Sequence, residues 1–157
     1  MQVDDLILVS VDDHVVEPPD LFEGRLSAAA AARAPHIERL ASGREVWMFE
    51  GAPLPNVGLN AVVGRVPEEY GLDPLAFDQM RPGCFDIHER IRDMNVNGVL
   101  GSLNFPSMTG FTGQLFMTMD DKDVALELLR AYNDWHLEDW CGTYPGRMIP
   151  LAVPPVW

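Results

Sequence analysis

Three polar residues in a row, Asp12, Asp13 and His14, close an apolar run formed by Leu6, Ile7, Leu8, Val9 and Val11. The run is rich in aliphatic and β-branched side chains and predicts a buried strand. Strand stability alone calls for no acids and no histidine at its end. Side chains alternate along a strand, so Asp12 and His14 are expected to point one way and Asp13 the other. A carboxylate and an imidazole two residues apart can reach one divalent cation, and zinc (Zn2+) and manganese (Mn2+) both accept that pair. Taken alone the spacing is a weak pattern. A turn-capping acid beside a hydrogen-bonded surface histidine reads the same way.

The elements that must position this triplet follow in order. Pro18 and Pro19 should stop the strand and turn the chain, and Pro19–Phe22 suits a short helical turn. The alanine-rich stretch 26–41 predicts a helix interrupted near Pro35 and ended by Gly43. Glu45–Glu50 alternates as a strand, Gly51 and Ala52 turn, and the chain returns from Pro53, a hairpin inserted after the first strand. Residues 56–67 read as an ordered loop, of the kind that shapes the pocket in barrel enzymes. Arg65 is the cation of that loop. It can clamp a substrate carboxylate in a bidentate pair, or simply pair with Glu68 or Glu69. Helical turns are expected at 67–70 and 73–80.

Asp86–Asn95 predicts an amphipathic helix capped by Asp86, with Ile87, Ile91 and Met94 on one face and His88 toward solvent. Asn97 and Gly98 end it. Val99–Phe105 predicts a second strand, stopped by Pro106. Asn104 and Ser107 lie at its C-terminal end, positioned to touch substrate or orient a ligand. For Asn104 a turn-forming role before the proline competes. Residues 107–119 suit a pocket-lining segment or a subunit contact. Asp120–Trp140 predicts the strongest helix, with Val124, Leu128, Ala131, Tyr132 and Trp135 as its core stripe and His136 beside it as a packing or surface residue. Met148–Val153 predicts a third strand. Strand, helix and strand in this order make a right-handed parallel β-α-β unit.

The stretch SVDDHVVEPPDLF resembles the first barrel strand of the amidohydrolase superfamily. In particular it resembles the branch of aminocarboxymuconate-semialdehyde-type and resorcylate-type decarboxylases, which carry H-x-H, E-x-H or D-x-H there. The resemblance continues at GREVWMFEG, PNVGLNAVVGR, RPGCFDIHERIRDMNVNGV, SLNFPS, AYNDWHLEDW and PGRMIPLAVPP. It implies an α/β fold, the N-terminal part of a (β/α)8 TIM barrel with about three parallel strands near 6–12, 99–104 and 148–153. A hairpin and loop insertion near 43–80 completes one partial-barrel domain over residues 1–157. It implies Asp12 and His14 as metal ligands, and Arg65, Asn104 and Ser107 as substrate-side residues. It further implies a metal-dependent hydrolase or non-oxidative decarboxylase acting on a small aromatic or carboxylic acid. Family members also use a His after the fifth strand, an Asp after the eighth and another His as acid/base, on strands this sequence does not reach.

A complete barrel takes about 200 residues or more, against 157 here. The expectation is therefore a first portion of such an enzyme, completed as a homo-oligomer or by a complementary C-terminal half. The rival expectation is a non-catalytic remnant or assembly module that binds a protein partner. Eleven Lys and Arg against 24 Asp and Glu give a net charge of −13, which argues against nucleic acid and anionic membrane as partners. Cys84 and Cys141 match no metal or redox spacing and suit reduced thiols in a cytoplasmic protein. No apolar run reaches the length of a membrane span.

Overall fold

The computed structural model describes residues 2, 5–54, 57, 61–71 and 75–157. In chain order its elements are β1 (Leu8–Val15), α1 (Ala28–Ala31), β2 (His36–Arg39), β3 (Glu45–Phe49), β4 (Ala52–Leu54), α2 (Ile87–Val96), β5 (Val99–Pro106), α3 (Gln114–Met117), α4 (Lys122–Trp135) and β6 (Met148–Ile149). Single 3-10 turns stand at Pro67–Glu69, Phe77–Gln79 and Pro82–Cys84. Of the two expected turns near 67–80, the second keeps its centre, although Asp73 lies outside the described residues, as does much of the loop 56–67.

Two sheets form. One is parallel, in the order β1-β5-β6, so the three strands expected side by side in sequence order are so arranged. The other is antiparallel, β2-β3-β4, and shares no strand with the first. The helices follow their local signals. Asp86 accepts the N–H groups of His88 and Glu89 at the start of α2, satisfying donors that a helix start leaves orphaned. Gly98, at φ 68°, takes the left-handed conformation that ends α2. Asp121 accepts from the N–H of Val124, and α4 then buries Ala125, Leu128, Leu129, Ala131, Tyr132 and Trp135. Six further residues, His136–Cys141, continue as a π-helical turn. Cys84 and Cys141 are free and buried. No helix among the described residues is long and apolar enough to cross a membrane.

Three expectations need correction. The helix over 26–41 is only one turn, α1, held by the Ser27 cap; beyond Pro35 the chain pairs with β3 as β2. Local alanine propensity loses to antiparallel pairing across a proline that cannot donate to a helix. Secondly, β1 is not buried over its first half. Leu6, Ile7, Leu8, Val9 and Val11 are exposed, Ile7 by 72% and Val11 by 64%, and burial starts only at Val15. As the edge strand, β1 has β5 on one side and no partner on the other among the described residues. Thirdly, the third strand is two residues long, because only Ser102 and Leu103 of β5 pair with it.

Candidate functional site

The register of β1 on β5 decides where the triplet faces. Ser10 stands opposite Ser102 and Asp13 opposite Asn104, so three steps of β1 run beside two of β5. The extra residue is a bulge at Val11 and Asp12, which re-aims side chains where the strand ends. Asp13 lies on the Ser102 and Asn104 side of the sheet and is half-buried. Val11, Asp12 and His14 are exposed. His14 pairs with Phe105, while Asp12 lies within the bulge, where regular alternation does not set its direction.

The two sides have different chemistry. On the Asp13 side a buried polar chain runs inward. The Ser102 hydroxyl donates to Asp13 Oδ2, the Asn104 amide donates to Ser102 Oγ at 2.8 Å, and the Trp140 indole donates to Asn104 Oδ1 at 2.7 Å. Arg90 from α2 closes the end of β1. It donates to the carbonyls of His14 at 2.9 Å and Gly83 at 2.5 Å, lies 4.0 Å from Asp13 Oδ2, and sits 5.6 Å above the Trp140 ring. Burial lowers the Arg90 pKa, and the nearby Asp13 carboxylate works against that fall. On the other side aromatic rings surround His14: Phe105 at 5.9 Å and Phe111 at 6.4 Å between centroids, with Phe105 and Phe111 packed edge to face at 5.0 Å.

A cleft of about 400 Å³ lies between residues of β1 and α2, within the size range of small-molecule sites. Asp12, Asp13, His14, Arg90 and Ser107 line it. The structure therefore brings Asp12, His14 and Ser107 to one cleft. Asn104 lies beneath, with both amide atoms engaged internally. Arg65 lies outside, donating to the carbonyl of Gln79 at 3.1 Å. Asp12 and His14 are the two ligand candidates of the sequence in this cleft. Among the described residues no group of three or more His, Cys, Asp or Glu side chains gathers to hold a metal ion, so these residues do not by themselves make a complete metal centre.

Sequence reasoning passed over Arg90, Trp140 and Glu17. Glu17 is 1% exposed and accepts the N–H groups of Ser107 and Met108. An acid placed between Val15–Val16 and a Pro-Pro pair was the available signal. Replacing Arg90 with Met should leave the carbonyls of Gly83 and His14 without their charged donor. Hydrogen bonds to charged groups contribute about 1.5–3 kcal/mol each, so urea unfolding should show a loss of about 3 kcal/mol, with smaller loss for Arg90→Lys.

No family model matches the sequence, and no curated protein matches it. Among solved structures, an amidohydrolase from Mycobacterium avium subsp. paratuberculosis K-10 superposes with a TM-score of 0.64 at 20% sequence identity. The superposition covers 92% of this chain and 42% of that one, so this chain spans less than half the length of the protein it resembles. The likeness establishes a shared fold.

Proposed function

We propose that this chain supplies the Asp12–His14 portion of a metal-dependent hydrolase or non-oxidative decarboxylase of the amidohydrolase superfamily, of the aminocarboxymuconate-semialdehyde-type branch. The observation that supports the reading is that Asp12 and His14 both line one cleft near the C-terminal end of β1. In parallel barrels active sites stand at that end. The likeness in fold to an amidohydrolase supports the same reading. Zinc or manganese is the metal proposed, with the remaining ligands coming from further strands. A small aromatic or carboxylic acid is the proposed substrate, met by Ser107 at the cleft, with Arg65 outside it on the Gln79 carbonyl. Asn104 serves by holding Ser102, and through it Asp13, in place. The proposed setting is cytoplasmic.

A partner follows from the exposed apolar side chains. Leu8, Val9, Val11, Leu100 and Ile149 are all exposed by 40% or more on the strands of the parallel sheet. Such a strand edge is a template for pairing. The fold neighbour is more than twice as long as the part matched here. The proposed occupant is a polypeptide that adds parallel strands to this sheet. With that partner in place, a panel of hydroxybenzoates and lactones is the test. Turnover in zinc or manganese should fall at least about 100-fold in His14→Ala, beyond the 10- to 100-fold lost when only a ligand's supporting partner is removed. Turnover unaffected by that substitution rejects the reading. Assembly without any turnover favours the non-catalytic module.

A further inference from the structure

Glu17 ties three elements together. It leaves the end of β1 and is buried. Its Oε1 accepts the Ser107 N–H and its Oε2 the Met108 N–H, both at 3.0 Å, and the Tyr132 hydroxyl of α4 donates to Oε1 at 3.3 Å. All three partners are donors, which suits an ionised carboxylate. Burial opposes the charge and raises the pKa to about 7, with the backbone and Tyr132 hydrogen bonds pulling the other way. The two tendencies nearly balance at neutral pH.

Ser107 and Met108 begin the segment after β5, and that segment carries Phe111 onto the His14 ring. Ser107 itself lines the cleft. We propose that Glu17 is a positioning residue for the cleft: ionised, it fixes the segment from Ser107 to Phe111 against His14, and on taking up a proton it releases that segment. The new proton needs an acceptor. The Tyr132 hydroxyl can rotate to accept it, turning its own proton toward Thr109, with which it already interacts. Tyr132 is the titratable group facing Glu17 from α4, with Cys141 behind it. Burial raises both pKa values, Cys141 to about 11 and Tyr132 above its ordinary range, so both stay neutral through the relevant pH. The segment after β5 presents backbone N–H groups and the Thr109 hydroxyl.

The consequence for the site rests on the reading of His14 given above. The clamp does not, so its test contains no metal. In the metal-free chain the amide resonances of Ser107 and Met108 and the ring resonances of Phe111 are followed from about pH 5 to about 9. They should shift together with one midpoint near 7, and this inflection should vanish in Glu17→Gln. Tyr132→Phe removes the side-chain partner of Glu17 and should displace the midpoint. The His14 ring resonances should show an inflection at the shared midpoint, absent in Glu17→Gln. Amides that show no inflection near neutral pH, or the same inflection in Glu17→Gln, overturn the clamp. If Glu17→Gln does not fold, an unmoved midpoint in Tyr132→Phe overturns it. A titrating segment without an inflection at the shared midpoint in the His14 ring overturns the positioning role. Loss of metal binding in His14→Ala would bear on the proposed function and leave these readouts unchanged.

Discussion

Glu17→Gln and His136→Phe should tilt the pH dependence of stability in opposite directions. The Glu17 pKa rises in the folded chain from 4.5 to about 7, because burial penalises the charge. Between those values the folded state holds a proton that the unfolded state has released. Its contribution is full below pH 4.5 and is lost as pH rises through 7. His136 is the reverse case. It is 2% exposed, its Nδ1 has no hydrogen-bond partner among the described residues, and burial lowers its pKa from 6.5 to about 4. Its contribution is full above pH 6.5 and is lost as pH falls through 4. Between 4.5 and 6.5 the two contributions oppose each other. Removing Glu17 leaves the His136 term, so the variant's unfolding free energy should rise with pH relative to the parent's across that window. Removing His136 should make it fall. At about 1.4 kcal/mol per pKa unit, each tilt is on the order of 2 kcal/mol. Urea denaturation at several pH values reads both, and parallel curves for parent and variants would show that neither group is shifted as described.

Trp140→Ala should cost about 3–5 kcal/mol, the range for emptying a buried aromatic position. The side chain is 2% exposed, packs on Trp135 at 6.1 Å between ring centroids, and lies under the Arg90 guanidinium. Its indole is also the last donor of the chain that runs from Asp13 through Ser102 and Asn104. Trp140→Phe separates the two effects. It keeps most of the packing and leaves the Asn104 carbonyl oxygen buried without its donor, a loss of about 1–3 kcal/mol. Domains of this size have total stabilities of about 5–15 kcal/mol, so the alanine variant should unfold in mild urea. Equal losses in the two variants would mean that the hydrogen bond, rather than the packing, dominates.

Where the fold was legible, the signals were local. The three parallel strands announce themselves as short apolar runs stopped by Pro18 and Pro106 or begun near Met148. The caps of α2 and α4 are acids placed just before periodic apolar faces. The hairpin at Glu45 needs only alternation and a Gly51 turn. The stretch His36–Arg39 was illegible because its strand state depends on pairing with Glu45–Met48, which alanine propensity upstream cannot reveal. The exposure of β1 was illegible for another reason: the apolar pattern encodes burial that the described elements of this chain do not provide. In the site, Asp12 and His14 stood out by residue type at a strand end. Glu17 and Arg90 did not, because their roles exist only across long separations. Glu17 meets Ser107 90 residues away, and Arg90 meets the His14 carbonyl 76 residues away.

In the proposed function Asp12 and His14 form part of a metal centre whose remaining ligands come from further strands. Catalytic zinc usually has three protein ligands and an open position, and among the described residues no group of three or more ligand side chains gathers. Calorimetric titration of zinc and manganese into the metal-free chain tests the claim most directly, with Asp12→Asn and His14→Ala beside it. The predicted result is weak, single-site binding that either substitution removes. Binding that neither substitution alters would contradict the assignment of the ligands. Tight stoichiometric binding that both abolish would contradict the claim that the site is incomplete.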